Sequence, residues 1–397
     1  MTEHFPQAEI LSQGEEVVSG SVVDTNAAWL AQELVGLGFD VTRHTIVGDR
    51  LGDLAGLLSE IADRADCCVC TGGLGPTVDD LTAAAVAQAF GLPLRLDDEA
   101  WRAIQAWYAS RNSVAPETNR KQALLPAGSQ RLDNRWGTAP GFALAHGRCR
   151  FYFLPGVPME MREIFGAEVR PRLTQRFAFR PPRSIVLRTV GVGESMLQAR
   201  MDQVSLPVNA ELGFCVVGPE VHVKLRLPTE IDLTAVEALL RNIRGALGDG
   251  VFSIDGLGDE GGDLATVIGR MLSRRNASLA IAETVSAGQL AHLCAGLTGL
   301  RECRVYPDTE AMTRALALDT FDSAVSGAAA AAQRLREQTG ADYVLVQFES
   351  AGLHLALLTP TGLFGFDRPL EREPYRRHLI AAAFTLDKLR RHLASLG

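Results

Sequence analysis

One stretch of this chain combines residue types that act on charged ligands: three glycines within four positions, a threonine and two adjacent carboxylates. It reads Thr71-Gly72-Gly73-Leu74-Gly75-Pro76-Thr77-Val78-Asp79-Asp80-Leu81-Thr82. Glycines let the backbone turn sharply and bring bare N–H groups toward an anion. A helical pattern that starts near Asp79 points its positive dipole end at the same spot. Asp79 and Asp80 would repel a phosphate, so they fit a ligand site only with a cation between them and the phosphate oxygens. The stretch therefore predicts a phosphate-plus-metal cradle. The alternative is that both aspartates are simply favourable charges at a helix start.

Periodicity supplies the elements that must hold this loop. Cys67-Cys68-Val69-Cys70 reads as a buried strand before it, and residues 81–90 as a helix after it. Upstream, 8–12 and 40–47 read as strands, and 26–37 and 51–62 as helices. Such alternation implies a parallel sheet with helices on both faces, with ligands at the carboxyl ends of its strands. Residues 151–154 form a further strand. Pro155-Gly156-Val157-Pro158 follows it, and Pro158 suits the first turn of a helix over 159–165.

A second block starts near Arg180-Pro181-Pro182-Arg183, a stiff basic linker. It contains a strand at 184–190, a helix at 194–201 and a helix at 233–247. Val221, Val223, Leu225 and Leu227 alternate with His222, Lys224 and Arg226, a half-buried strand that Gly218-Pro219 pairs with 212–217. The glycine-rich, acidic segment 256–262 is the next linker. In the third block Asp263 caps a helix. Strands at 278–282, 343–348 and 353–358 follow, as do a helical alanine run at 328–332 and a closing helix over 374–393. The domain reading is 1–172, 180–256 and 260–397, each long enough for its own core.

With 397 residues, 47% hydrophobic and 22% charged, the chain has globular composition. A net charge of −8 argues against a nucleic-acid surface. There is no apolar run of membrane-spanning length and no signal-peptide pattern, so a cytoplasmic location is expected. Seven cysteines without zinc-ligand spacing read as reduced, structural thiols.

Several motifs accompany the loop: Gly14-Glu15-Glu16 after the first strand, Asp24-Thr25-Asn26, Val47-Gly48-Asp49 and Asn119-Arg120-Lys121-Gln122. Gly137-Thr138-Ala139-Pro140-Gly141 and Leu154-Pro155-Gly156-Val157-Pro158 complete the series. Together and in order they resemble the competence/damage-inducible CinA family over nearly the full length. The resemblance implies an α/β architecture: a molybdopterin-binding-like three-layer domain, a small KH-like α+β unit and a CinA-type C-terminal domain. It further implies a metal-dependent nucleotide pyrophosphatase acting on ADP-ribose-like diphosphates, with a divalent ion (Mg, Mn or Co) and potassium as cofactors, and a homodimer.

On that reading Asp79, Asp80 and Glu16 face the metal, and Lys121 neutralises phosphate. Gly72, Gly73, Gly75 and Thr77 contact the diphosphate, while Asn26, Gly137, Thr138, Pro155 and Gly156 line the nucleotide pocket. A cation there would polarise the diphosphate and activate water. The competing reading is a nucleotide-binding or scaffold protein without turnover.

The third block resembles the CinA C-terminal domain, which in many members deamidates nicotinamide mononucleotide. The family motif Ala-Glu-Ser-Cys-Thr-Gly-Gly appears here as Ala282-Glu283-Thr284-Val285-Ser286-Ala287-Gly288. A Tyr-Ser-Asn-x-x-Lys stretch becomes Tyr306-Pro307-Asp308-Thr309-Glu310-Ala311, without its lysine. A glycine-rich loop is replaced by Gln347-Phe348-Glu349-Ser350-Ala351-Gly352, about ten residues short. Thr284, Ser286 and Tyr306 mark a degenerate site, since amide hydrolysis needs a nucleophile, a base and oxyanion donors. Loss of deamidase activity is therefore expected, with an active deamidase as the third reading.

Overall fold

Alternating apolar residues along β1 (Gln7–Gln13) and β3 (Cys67–Thr71) send side chains to opposite faces of one sheet. The computed structural model describes residues 5–177, 179, 182–258 and 261–396. Parts of the expected linkers at 180–183 and 256–262 lie outside them. The chain forms two compact units, 1–181 and 182–397.

In the first unit the sheet order is β2-β1-β3-β8-β7-β6. β2 is Asp40–Val47, β6 Gln130–Leu132, β7 Gly141–His146 and β8 Cys149–Leu154. The strands from β2 through β8 are parallel, as predicted. β7 instead runs antiparallel to both its neighbours, β8 and β6, so the sheet is mixed. A tight turn between His146 and Cys149 reverses the chain, which a parallel crossover would not permit. β4 (Leu94–Leu96) and β5 (Leu124–Pro126) form a small separate ribbon.

Ile10, Cys67 and Val69 meet Leu30 and Leu34 of the helix Thr25–Leu37 and Met161 and Ile164 of the helix Pro158–Ile164. Leu11, Cys68 and Cys70 point the other way, onto Leu54 and Leu58 of the helix Leu51–Arg64 and Val86 of the helix Thr82–Phe90. This gives three layers, α/β/α. Each such fully buried side chain contributes about 2 kcal/mol.

The second unit holds two sheets. β9 (Arg183–Val190), β10 (Glu211–Val217), β11 (Glu220–Leu227) and β12 (Val251–Asp255) form an antiparallel sheet, order β10-β11-β9-β12. The helices Glu194–Met201 and Leu233–Leu247 cover it. The other sheet has order β14-β13-β15-β16-β17. Here β13 (Leu279–Glu283) lies parallel to both β14 (Leu300–Val305) and β15 (Tyr343–Glu349). β16 (Leu353–Thr359) and β17 (Gly362–Arg368) continue from β15 as an antiparallel meander.

One face packs on the helices Leu264–Arg274 and Pro374–Ser395, and the other on Ala324–Thr339. Val190 and Phe252 of the antiparallel sheet join the first of these clusters, so the two sheets share one core.

All seven cysteines are unpaired. Burial pushes the Cys294 and Cys303 thiols up to about 12, and those of Cys67, Cys68 and Cys149 above the usual value. They are inert apolar groups. Among the described residues, no helix is long and apolar enough to cross a membrane.

Candidate functional site

Most of the first unit's predicted motifs meet where β1, β3 and β8 end. Asn26 donates to the Thr71 hydroxyl at 3.2 Å and the Gly156 carbonyl at 2.8 Å, and the Thr71 hydroxyl donates to the Pro155 carbonyl at 3.0 Å. Asp24 caps the following helix through Ala27 N–H at 2.8 Å. Gly72 and Gly73 adopt φ of +104° and +65°. A Cβ on Gly72 would lie 2.2 Å from the Gln13 carbonyl oxygen, and one on Gly73 2.3 Å from the Gln13 amide. A Cβ on Gly75 would lie 2.5 Å from the Asp80 carboxylate. Close packing against Gln13 and Asp80 therefore requires glycine at these three positions.

The carboxylates have local work as well. Asp80 accepts from Thr77 N–H at 2.8 Å and from its hydroxyl at 2.5 Å, closing the loop on itself. Lys121 donates to the Thr77 carbonyl. The exposed Asp79 carboxyl is held below its ordinary value by the Thr77 hydroxyl it shares with Asp80, by its own N–H and by Lys121. Glu16 folds back, so that a Cβ on Gly14 would lie 2.6 Å from its Oε1. Among the described residues, no three His, Cys, Asp or Glu side chains gather to hold a metal ion. Asp79 and Asp80 meet at Thr77, but Glu16 does not join them in such a group, so the three acids do not form the expected metal site. Gly137 and Thr138 line a different cavity, of about 220 Å³, with Arg131 and Asn134.

In the second unit, Glu283 ends β13 with no solvent exposure. Its carboxylate accepts from the Ser286 hydroxyl, from Leu290 N–H at 3.3 Å and from Ala291 N–H at 3.0 Å. The Gln347 carboxamide oxygen on β15 accepts from Val285 N–H at 3.2 Å and Ser286 N–H at 3.0 Å, and lies 2.8 Å from the Ser286 Oγ. Gln347 Nε2 donates to Thr385 Oγ1 at 2.8 Å. Thr284 donates to the Gln347 carbonyl at 3.1 Å. Thr284 and Ser286 are 5% and 0% exposed, so neither hydroxyl reaches a substrate. Tyr306 is tied to this cluster through its backbone, donating to the Glu283 carbonyl at 2.9 Å.

A second constellation lies where β15 turns into β16, and sequence reasoning found no base there. The exposed Ser350 hydroxyl lies 2.9 Å from His354 Nε2, and His354 Nδ1 is hydrogen-bonded to Asp367. Register makes this possible, because His354 pairs with both Phe348 on β15 and Asp367 on β17. The turn Pro360-Thr361 after β16 was a usable signal, since a two-residue connection sets which residues face each other.

The first unit has a molybdopterin-binding-like α/β fold: the family described as "Probable molybdopterin binding domain" (MoCF_biosynth) matches residues 9–175. The chain as a whole belongs to the CinA family. It is 35% identical over 393 residues to the CinA-like protein of Escherichia coli O9:H4 (strain HS), covering 98% of this chain and 94% of that one. The same identity and coverage hold for the NMN amidohydrolase-like protein YfaY of Escherichia coli K12. A solved CinA from Thermoplasma acidophilum, described as of unknown function, is 33% identical with a TM-score of 0.40, covering 42% of this chain and 98% of that one.

The YfaY name corrects two expectations. It points to amide hydrolysis rather than to a metal-dependent pyrophosphatase. It also runs against the expectation that the C-terminal amidohydrolase activity is lost.

Proposed function

We propose that this chain is an amidohydrolase that releases ammonia from the carboxamide of nicotinamide mononucleotide, with the chemistry in its second unit. The observation that carries this reading is 35% identity over 98% of the chain to a relative named NMN amidohydrolase-like. Its physical support is location. The polar groups Glu283, Ser286 and Gln347 and the Ser350 turn all lie at the carboxyl ends of β13 and β15, where open α/β sheets take ligands.

The full-length protein incubated with nicotinamide mononucleotide should release one ammonia per nicotinic acid mononucleotide formed, followed by coupled assay and chromatography. Product no greater than in a heat-denatured control would reject the reading.

A further inference from the structure

Amide hydrolysis needs a reachable nucleophile, and the motif hydroxyls of Thr284 and Ser286 are buried and already hydrogen-bonded. We infer that Ser350, His354 and Asp367 form a nucleophilic acyl-transfer site for carboxylic amides and esters. For its natural substrate this rests on the amidohydrolase reading, while the relay itself is read from geometry alone. The spacing is that of a nucleophile, its base and the base's orienting acid. Ser350 Oγ lies 2.9 Å from one ring nitrogen of His354, and Asp367 binds the other.

Fold stability does not account for the arrangement. Asp367 is 70% exposed, and a polar contact so open to water adds little to folding. His354 is 21% exposed and Ser350 faces solvent, so an acyl group can approach. The short β15–β16 connection is what brings them together. With only Ser350, Ala351 and Gly352 between the strands, the turn hydroxyl stands over the second residue of β16. A longer loop would carry it away.

In the reaction, Ser350 Oγ attacks the carboxamide carbon while its proton passes to His354 Nε2. The tetrahedral adduct collapses, the C–N bond breaks, and His354 returns the proton to the departing ammonia. Water then attacks the Ser350 ester, giving its proton to His354, and the carboxylic acid leaves as the serine is restored. Asp367 holds the ring tautomer and stabilises the imidazolium, which makes it a positioning residue.

The test is labelling of the intact full-length chain with a fluorophosphonate, read by intact mass and peptide mapping, alongside ammonia release from nicotinamide mononucleotide. One adduct, on the Ser350 peptide, is expected; it should vanish in Ser350→Ala and form on the order of 100-fold more slowly in His354→Gln. Asp367→Asn should slow labelling and Asp367→Glu should partly restore it, with melting temperatures unchanged. No adduct, or an adduct elsewhere, overturns the proposal. Ammonia release that persists in Ser350→Ala also overturns it and leaves the amidohydrolase reading standing. An adduct on Ser350 without ammonia release supports the relay and retires nicotinamide mononucleotide as its substrate.

Discussion

Glu283 is a carboxylate shut away from water, kept there by one hydroxyl and two backbone N–H groups. Buried charge is tolerable only with such partners, and removing one leaves a desolvation cost. Ser286→Ala should therefore destabilise the chain by about 2 kcal/mol, read as a lowered thermal midpoint, while fluorophosphonate labelling at Ser350 survives. An unchanged midpoint would place Ser286 outside the structural network. The sequence displayed this motif plainly, but its burial was not legible. An Ala-Glu-Thr-Val-Ser string looks the same whether its hydroxyls face a ligand or a neighbouring strand. Ser350, His354 and Asp367 were invisible for another reason. Their proximity depends on the pairing of three strands, and one of those strands was not predicted.

At the scale of elements, legibility followed burial. The strands β3, β13 and β15 are short, mostly apolar runs buried on both faces, and such runs identify themselves. β17 is an edge strand with two glycines and much exposed surface, so neither period nor propensity marks it. The closing helix, Pro374–Ser395, was clear from its apolar stripe, but one of its residues carries an unforeseen cost. His392 Nε2 is buried without a hydrogen-bond partner among the described residues, near the rings of Tyr343 and Phe364. Burial depresses its imidazole below the ordinary 6.5. Because the folded state favours the neutral ring, stability is present above the ordinary value and is lost as pH falls through the lowered one. His392→Phe should raise the thermal midpoint and flatten its decline between about pH 7 and pH 5. An equally steep decline in the variant would assign the acid sensitivity to other groups.

Over the whole molecule, a three-block sequence folds as two units, and the polar ties inside the second unit show why its two sheets stay together. Asp387 accepts from Arg390 at 2.6 and 2.9 Å and from Arg391 at 2.7 Å, and Arg390 reaches on to the Asp249 carbonyl at 2.6 Å. Arg390 and Asp387 are only 6% and 9% exposed. Removing one member of such a pair strands the other, at about 3–5 kcal/mol. Asp387→Ala should lower the denaturation midpoint of residues 182–397 while leaving the midpoint of residues 1–181 in place, as resolved by hydrogen exchange. An unchanged midpoint in residues 182–397 would show that the pair does not hold that unit together. A contact between residues 141 positions apart in sequence carries no local signature, so this tie could not have been read from the chain.

Gln13 has a consequence of its own. A single carboxamide at the end of β1 is hydrogen-bonded at once to Asp49 and to Thr82 and packs against Gly73. It works as a shared rivet: pull any one of those three segments outward and the other two lose their hold. That rim of the first unit must yield all together or stay shut, so its opening would register as one cooperative event rather than as separate loop motions.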